Sequence, residues 1–337
     1  MSKLAYASEK IKAPSLVSLQ TLFEGRMDQV NEKILKSLEC SVPLIQDIAG
    51  YLIKQGGKRL RPLLTLASAE LCGYKGHRHV GLASAVEFIH TATLLHDDVV
   101  DESALRRGAA TANTIWNNTA SVLVGDFLFS RAFQLMVEDG SLDVLKVLSQ
   151  ASATIAEGEV MQLASARNLN LREENYLAVI GAKTACLFEA ATHVGALVAD
   201  ASSEKCEALR KFGFNLGMAF QLTDDALDYC ATGESLGKHV GDDFAEGKVT
   251  LPILITYHAA TEIEKAFIKK CFVDLTQEPQ DLTRMIKLIH DKGALQAVSA
   301  KAQSYLNNAR ECLKIFEETS LKSTLLETLD FVLVRNH

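Results

Sequence analysis

The amino-acid sequence predicts a single all-α domain, and three observations carry that expectation. Glycine (20) and proline (5) are scarce in a chain of 337 residues, against the roughly 12% that average proteins devote to the two, so few positions break a helix. Apolar residues recur three and four apart over long stretches, the spacing of one helical face. No stretch of convincing length alternates apolar and polar with the period of a strand. Hydrophobic residues make up 48% of the chain, enough at this length for a large core. Neither a linker nor a repeat of solenoid length interrupts the pattern. Residues 16–337 therefore read as one domain behind a flexible tail over 1–15.

Leu16, Leu19, Leu22, Phe23, Met27, Val30, Ile34 and Leu38 share one face and predict a first amphipathic helix. A second, Leu44 to Lys54, runs into Gly56 and Gly57, where glycine closes helices in the left-handed conformation. The sequence KRLRP follows. Lys58, Arg59 and Arg61 crowd just before Pro62, which suits the first turn of a helix reaching Leu71. Free N–H groups at a helix start beside several cations suit an anion, although a solvated basic turn would look the same. A long helix is expected from Val80 to about Ser103, then two more over Trp116–Val137 and Leu142–Ala166. Tyr176 to Ala199 is rich in Ala and Gly and carries Lys183 and Thr184 in its middle, where a lysine serves packing poorly and suits a phosphate. From Ile253 to the end the period is again helical, with turns at Pro279 and near Gly293.

The chemistry gathers in HTATLLHDDVVDESALRRG, residues 90–108. On a helix Asp97 and Asp101 stand one turn apart with Asp98 beside them, among residues that call for burial. A second D-D-x-x-D, Asp224, Asp225 and Asp228, lies within FQLTDDALDY at 220–229. Crowded carboxylates repel one another and lose water, a cost that a cation relieves. Oxygen ligands without Cys or His favour Mg²⁺, which keeps several waters and bridges carboxylates to substrate phosphates. One such motif reads equally well as a solvated acidic turn. Two, each beside core-forming residues, point to several Mg²⁺ ions around one diphosphate. His90 lies two turns before Asp97 on the same face and is grouped with the site; His96 is read as structural, and His77 and His79 have no partners at ligand spacing.

After the second motif comes ATGESLGKHVGDDFAEGKVTLP, residues 231–252. Gly233 to Lys238 is one residue short of a P-loop and has His239 where a Ser or Thr belongs. The stretch reads instead as a lid whose Lys238 and Lys248 swing toward an anion, with Asp242 and Asp243 solvated. The net charge of −7 disfavours nucleic acid as a partner. Seven scattered cysteines without a C-x-x-C pair argue against a disulfide framework or zinc site. No uncharged apolar run approaches the roughly 18 residues of a membrane span, and the first residues lack a secretory apolar segment, so a cytoplasmic location is expected.

GGKRLRP at 56–62, LLHDDVVDESALRRG at 94–108, AKTA at 182–185, FQLTDDALDY at 220–229 and GKHVGDDFAEGKVTLP at 237–252 resemble the trans-prenyltransferases, the all-trans polyprenyl diphosphate synthases. The resemblance runs from about residue 16 to the C-terminus. It implies an isoprenoid synthase fold with helices around a deep central cavity, a homodimer, and Mg²⁺-dependent head-to-tail addition of isopentenyl diphosphate to an allylic diphosphate. Three Mg²⁺ ions per site are implied, with Mn²⁺ able to substitute. By the same resemblance Asp97, Asp98, Asp101, Asp224, Asp225 and Asp228 are the metal-binding and catalytic carboxylates. Lys58, Arg61, His90 and Arg107 match contacts to isopentenyl diphosphate. Arg106, Lys183, Thr184, Gln221 and Lys238 match contacts to the allylic diphosphate, with Lys248 nearby; Lys183 and Lys238 also count as catalytic.

Ala92 and Thr93 precede Asp97 by five and four residues, where the growing chain must pass. Short-chain members of the family place bulky aromatics there, so two small residues imply a long product of about eight to ten isoprene units, a quinone tail, with Phe127, Phe133 and Met136 as candidates for the tunnel floor. The rival readings are a shorter-chain farnesyl or geranylgeranyl diphosphate synthase, a class I terpene cyclase, which would not need a second diphosphate site, and a non-catalytic helical subunit.

Overall fold

The computed structural model describes residues 16–54, 57–106, 108–230 and 241–334. The chain opens with α1 (Val17–Leu22) and α2 (Glu24–Ser37). A single helix was expected here; instead the backbone breaks at Phe23, whose ring is 1% exposed in the core. α3 (Pro43–Lys54) begins on a proline, where the missing N–H costs nothing. α4 (Leu60–Leu71) carries Pro62 in its first turn, as the sequence predicts.

α5 (Arg78–Val100) is the central helix, buried along Leu82, Val86, Ile89 and Leu95. It stops three residues before the expected Ser103. The N–H of Ser103 turns back to the Asp98 carbonyl at 3.0 Å, and the chain enters a two-residue antiparallel pair, β1 (Leu105–Arg106) and β2 (Ala109–Ala110). Strands this short leave no period to read. The helix predicted over Trp116–Val137 is α7 (Asn118–Asp139); a short unpredicted α6 (Ala112–Trp116) precedes it, and between them the Asn117 side chain accepts the Ala120 N–H at 3.0 Å as an N-cap.

α8 (Leu142–Ala164) is capped by Ser141. α9 (Glu173–Ile180) and α10 (Cys186–Val198) are joined by a π-helical turn, Gly181–Ala185. α11 (Ser203–Leu227) carries the second aspartate motif. The remainder is α12 (Asp242–Glu246), α13 (Leu251–His258), α14 (Glu262–Phe272), α15 (Asp281–Asp291), α16 (Ala294–Cys312) and α17 (Ser320–Val334).

One large core unites the helices from α1 to α11 with α16 and α17, and a smaller one joins α12 to α15 around Phe244, Phe267, Phe272 and Ile289. Missing side chains bring the site-bearing elements close. A Cβ on Gly158 of α8 would stand 2.8 Å from the Lys183 backbone nitrogen, and one on Gly217 of α11 would stand 2.7 Å from the Ala185 Cα. The π turn is thus gripped between two glycines. α7 and the α9–α10 unit are long and apolar enough to cross a membrane by length and composition; here both pack into the helical bundle.

Candidate active site

The C-terminal end of α5 presents its three aspartates in two directions. The Asp98 carboxylate turns inward, 1% exposed, and one of its oxygens receives Arg106 Nε at 2.8 Å and Nη2 at 2.7 Å. The short β hairpin serves this contact, because it folds the chain back so that Arg106 reaches the helix it has just left. Asp101 faces a cavity, and Asp97 turns to a lysine on its wall. Asp97 lies 3.6 Å from Lys183 Nζ and Asp101 lies 3.8 Å from Lys248 Nζ.

That cavity, about 510 Å³, is lined by Asp101 of the first motif, Asp225 and Gln221 from the second, and Lys183, Thr184 and Lys248 between them. The π turn puts two successive polar residues, Lys183 and Thr184, on its wall; such wide turns recur at functional sites because they re-aim side chains within a helix. A hydrogen-bond chain then crosses the cavity wall. Thr184 Oγ1 donates to Gln221 Oε1 at 2.9 Å, Gln221 Nε2 donates to one Asp225 oxygen at 2.7 Å, and the Tyr176 hydroxyl donates to the other. Asp228 faces neither cavity nor solvent: its two oxygens accept the backbone N–H groups of Asp242 and Asp243 at 3.1 and 3.0 Å, anchoring α12 to the end of α11.

The second aspartate of each motif also meets protein donors, Asp98 meeting Arg106 and Asp225 meeting Gln221 and Tyr176, and Asp228 meets the two backbone N–H groups at the start of α12. Asp243, read as solvated, is half-buried and acts electrostatically on Asp225 and Lys248.

Burial, reinforced by the charge of Asp243, pushes the Asp225 carboxyl up to about 8 against the opposing hydrogen bonds of Tyr176 and Gln221. Burial also raises Asp98, against the pull of Arg106. Burial alone would depress the Lys248 ammonium, yet Asp243, Asp101 and Glu246 more than offset it and hold it above its ordinary value.

Glu159 on α8 was not foreseen. It receives Lys183 Nζ at 2.7 Å, and its carboxyl is raised by burial and by neighbouring Asp97. Its signal was the Gly158-Glu159 pair inside an otherwise uninterrupted helix. Tyr176 and the exposed cation Arg167, which also lines the cavity, carried no signal of their own.

A second cluster of cations forms where α4 meets α5. Arg61 Nη1 lies 3.2 Å from His90 Nε2, and the guanidinium stacks 4.3 Å above the Phe188 ring. Burial lowers Arg61 to about 10, with Glu87 opposing. Lys58 sits 4.5 Å over the ring of Phe331 on α17. Arg61 and His90, both matched by the resemblance to isopentenyl diphosphate, thus lie side by side; Arg107 and Lys238 lie outside the described residues. Of the tunnel candidates, Ala92 and Met136 are fully buried, Thr93 donates to the His90 carbonyl at 2.7 Å, and Phe127 is half-buried beneath Arg131. Phe133 departs from expectation: it is 42% exposed on the outer face of α7, where the helical period turns it away from the core.

The polyprenyl synthetase profile matches residues 42–289, a span that includes both aspartate motifs and the cation cluster. The chain belongs to the polyprenyl synthetase family. It is 44% identical to the octaprenyl diphosphate synthase of Escherichia coli (strain K12) over 312 residues, 93% of this chain and 96% of that protein. The structure superposes on a decaprenyl diphosphate synthase from Rhodobacter capsulatus with a TM-score of 0.92 at 45% identity, covering 96% of this chain and 100% of the other. A polyprenyl synthase from Caulobacter crescentus CB15, complexed with calcium and isoprenyl diphosphate, gives a TM-score of 0.93 at 48% identity over 97% and 99%. The all-α isoprenoid synthase fold expected from the sequence is the fold of this polyprenyl synthetase chain.

The donor set of the cavity suits a hard divalent cation. Its acidic lining offers carboxylate oxygens without Cys or His, and the raised Asp225 is a carboxyl short of positive charge. Among the described residues no three such groups converge closely enough to hold an ion unaided. That geometry fits ions completed by waters and a substrate diphosphate.

Proposed function

We propose that this chain is a long-chain all-trans polyprenyl diphosphate synthase that extends an allylic diphosphate, farnesyl or similar, by repeated head-to-tail addition of isopentenyl diphosphate. The observation that carries the reading is the shared cavity: Asp101 and Asp225, 124 positions apart by subtraction of their numbers, line one wall system with Lys183 and Lys248.

The chain's own groups then divide the work. Lys183 and Lys248 rest on carboxylates, Lys183 on Glu159 and Asp97, Lys248 on Asp101 and Glu246. A substrate diphosphate gives both a stronger anion, and they stabilise the charge that grows on it as the allylic C–O bond breaks. Magnesium, the proposed ion, would be held by Asp97 and Asp101 on one side and by Asp224 or Asp225 on the other, and supplies Lewis-acid stabilisation of the leaving diphosphate. The proposed complement is three ions, with Mn²⁺ as a substitute. Val100, Leu171, Val179 and Ile180 line the cavity and keep water from the reacting carbon. Lys58, Arg61 and His90 hold the diphosphate of isopentenyl diphosphate. The new bond forms between its double bond and the allylic carbon, and the lost proton goes to the released diphosphate.

The proposed product has about eight to ten isoprene units and serves as a quinone tail, supported by the small, buried Ala92 one turn before the metal motif. The proposed assembly is a homodimer. α7 and α8 leave Leu123, Val137, Leu142, Val160 and Leu163 exposed, and apolar faces of this kind mark interfaces. The seven free cysteines suit a reducing compartment, the cytoplasm.

The test is a product chromatogram from the purified chain with Mg²⁺, farnesyl diphosphate and labelled isopentenyl diphosphate. Labelled polyprenols of eight to ten units are expected. A cyclic hydrocarbon without consumption of isopentenyl diphosphate would make the protein a cyclase, products of three or four units a shorter-chain synthase, and no product a non-catalytic subunit.

A further inference from the structure

We infer that Arg59 is the positioning residue of the isopentenyl diphosphate site: clamped to Asn31 of α2 and facing Glu87 of α5, it fixes the backbone that presents Lys58 and Arg61 together. The inference rests on the proposed function for the identity of the anion, and on geometry for the rest.

Arg59 has φ 44° and ψ 41°, the left-handed region. A residue with a Cβ is disfavoured there by its clash with the carbonyl oxygen, and glycine is not. Arginine nevertheless occupies the position, so its side chain must return what the backbone gives up. Two contacts do so. Its Nη1 donates to the Asn31 side-chain oxygen, and its Nε lies 4.0 Å from a Glu87 carboxylate oxygen, with the Arg59 and Glu87 side chains each 15% exposed. The guanidinium therefore points away from the diphosphate cations and ties the turn to two helices.

The placement of its neighbours follows. The Arg59 carbonyl accepts the Leu63 N–H at 3.1 Å and starts α4, so Arg61 belongs to the rigid helix. Lys58 belongs to the turn, and the conformation of Arg59 sets the direction in which its backbone leaves the helix that holds Arg61. Released to negative φ, Arg59 would swing Lys58 off the Phe331 ring while Arg61 stayed against His90 and Phe188. Two cations that bind one diphosphate would then face different ways. Strained backbones persist where such pre-organisation is wanted.

The experiment compares Asn31→Ala, Asn31→Asp and Arg59→Ala with the wild-type full-length protein in steady-state kinetics, each substrate varied with the other saturating, alongside thermal melting. Asn31 is none of the residues proposed to contact substrate, and Asp keeps an acceptor oxygen where Ala has none. Asn31→Ala and Arg59→Ala are expected to raise KM for isopentenyl diphosphate about tenfold, the order of one hydrogen bond to a charged group. KM for farnesyl diphosphate should stay within about twofold, and Asn31→Asp should stay near wild type. Unchanged KM for isopentenyl diphosphate in Asn31→Ala overturns the inference, as does a parallel rise in both KM values. If Arg59→Ala fails to fold, the Asn31 pair decides alone. A wild-type protein that consumes no isopentenyl diphosphate would defeat the proposed function itself, whereas an active wild type with an indifferent Asn31→Ala would defeat only the clamp.

Discussion

Asp97 and Asp98 are neighbours in sequence with opposite surroundings, and mutation should separate them. Asp97 pairs with Lys183 of the cavity wall, while Asp98 is sealed against Arg106. Asp97→Ala is expected to lower kcat by about a thousandfold or more, the scale of lost transition-state charge stabilisation, with a Tm within a few degrees of wild type. Asp98→Ala should lower Tm as well, because it strands a guanidinium that had a buried partner; melting curves and single-turnover rates on both variants check the contrast. His79 offers a pH prediction. Its ring is fully buried with Nε2 4.0 Å from a Glu70 oxygen, and burial pushes it down to about 4, assisted by the charges of Arg26 and His77 and opposed by the His77 backbone. The unfolded imidazole takes up a proton near 6.5, so below that pH the unfolded state binds the extra proton. Stability should therefore be level above about 6.5 and fall as pH drops from there toward 4. Denaturant midpoints at pH 7.5 and 5 measure the slope, and His79→Phe should flatten it.

At the scale of elements, the π turn between α9 and α10 is the part most sensitive to its neighbours. Gly158 and Gly217 press on it from two sides, and it carries Lys183 and Thr184. Gly158→Ala would force a methyl to within 2.8 Å of the Lys183 nitrogen, and overpacking of this kind costs about 1–3 kcal/mol. The expected outcome is a rise in KM for the allylic substrate larger than that for isopentenyl diphosphate, because only Lys183 and Thr184 move. Equal effects on both substrates would show that the turn does not set the allylic site. Its existence was not legible beforehand: AKTA stood out as a lysine in a small-residue helix, but a π turn has no periodicity of its own to reveal it. The first motif was legible down to the facing of Asp97 and Asp101, because both follow from 3.6 residues per turn. The turning of Asp98 was not, because the hairpin that returns Arg106 to it is two residues per strand.

At the scale of the whole molecule, the bundle has to exclude water from a reacting carbon and still admit a lengthening chain. Ala92 lies fully buried on α5, in the path proposed for that chain. Ala92→Phe should shorten the products by several units, read from the same chromatogram that tests the function; an unchanged ladder would remove this helix from the tunnel wall. Phe133 belongs to a different surface. Its outward ring lies on the same helix as exposed Val137 and Leu123, which places it toward the proposed partner copy.

The all-α class, the run of helices, the two acidic motifs and the cations at 58, 61, 183 and 248 were legible in the residues alone, because helical period and residue chemistry are local properties. Folding was needed to show which carboxylates line the cavity, which meet Arg106, Tyr176 or the start of α12, and that Glu159 joins Lys183. Those outcomes depend on contacts between residues far apart in the chain, and burial and charge take their values from the neighbours that folding supplies.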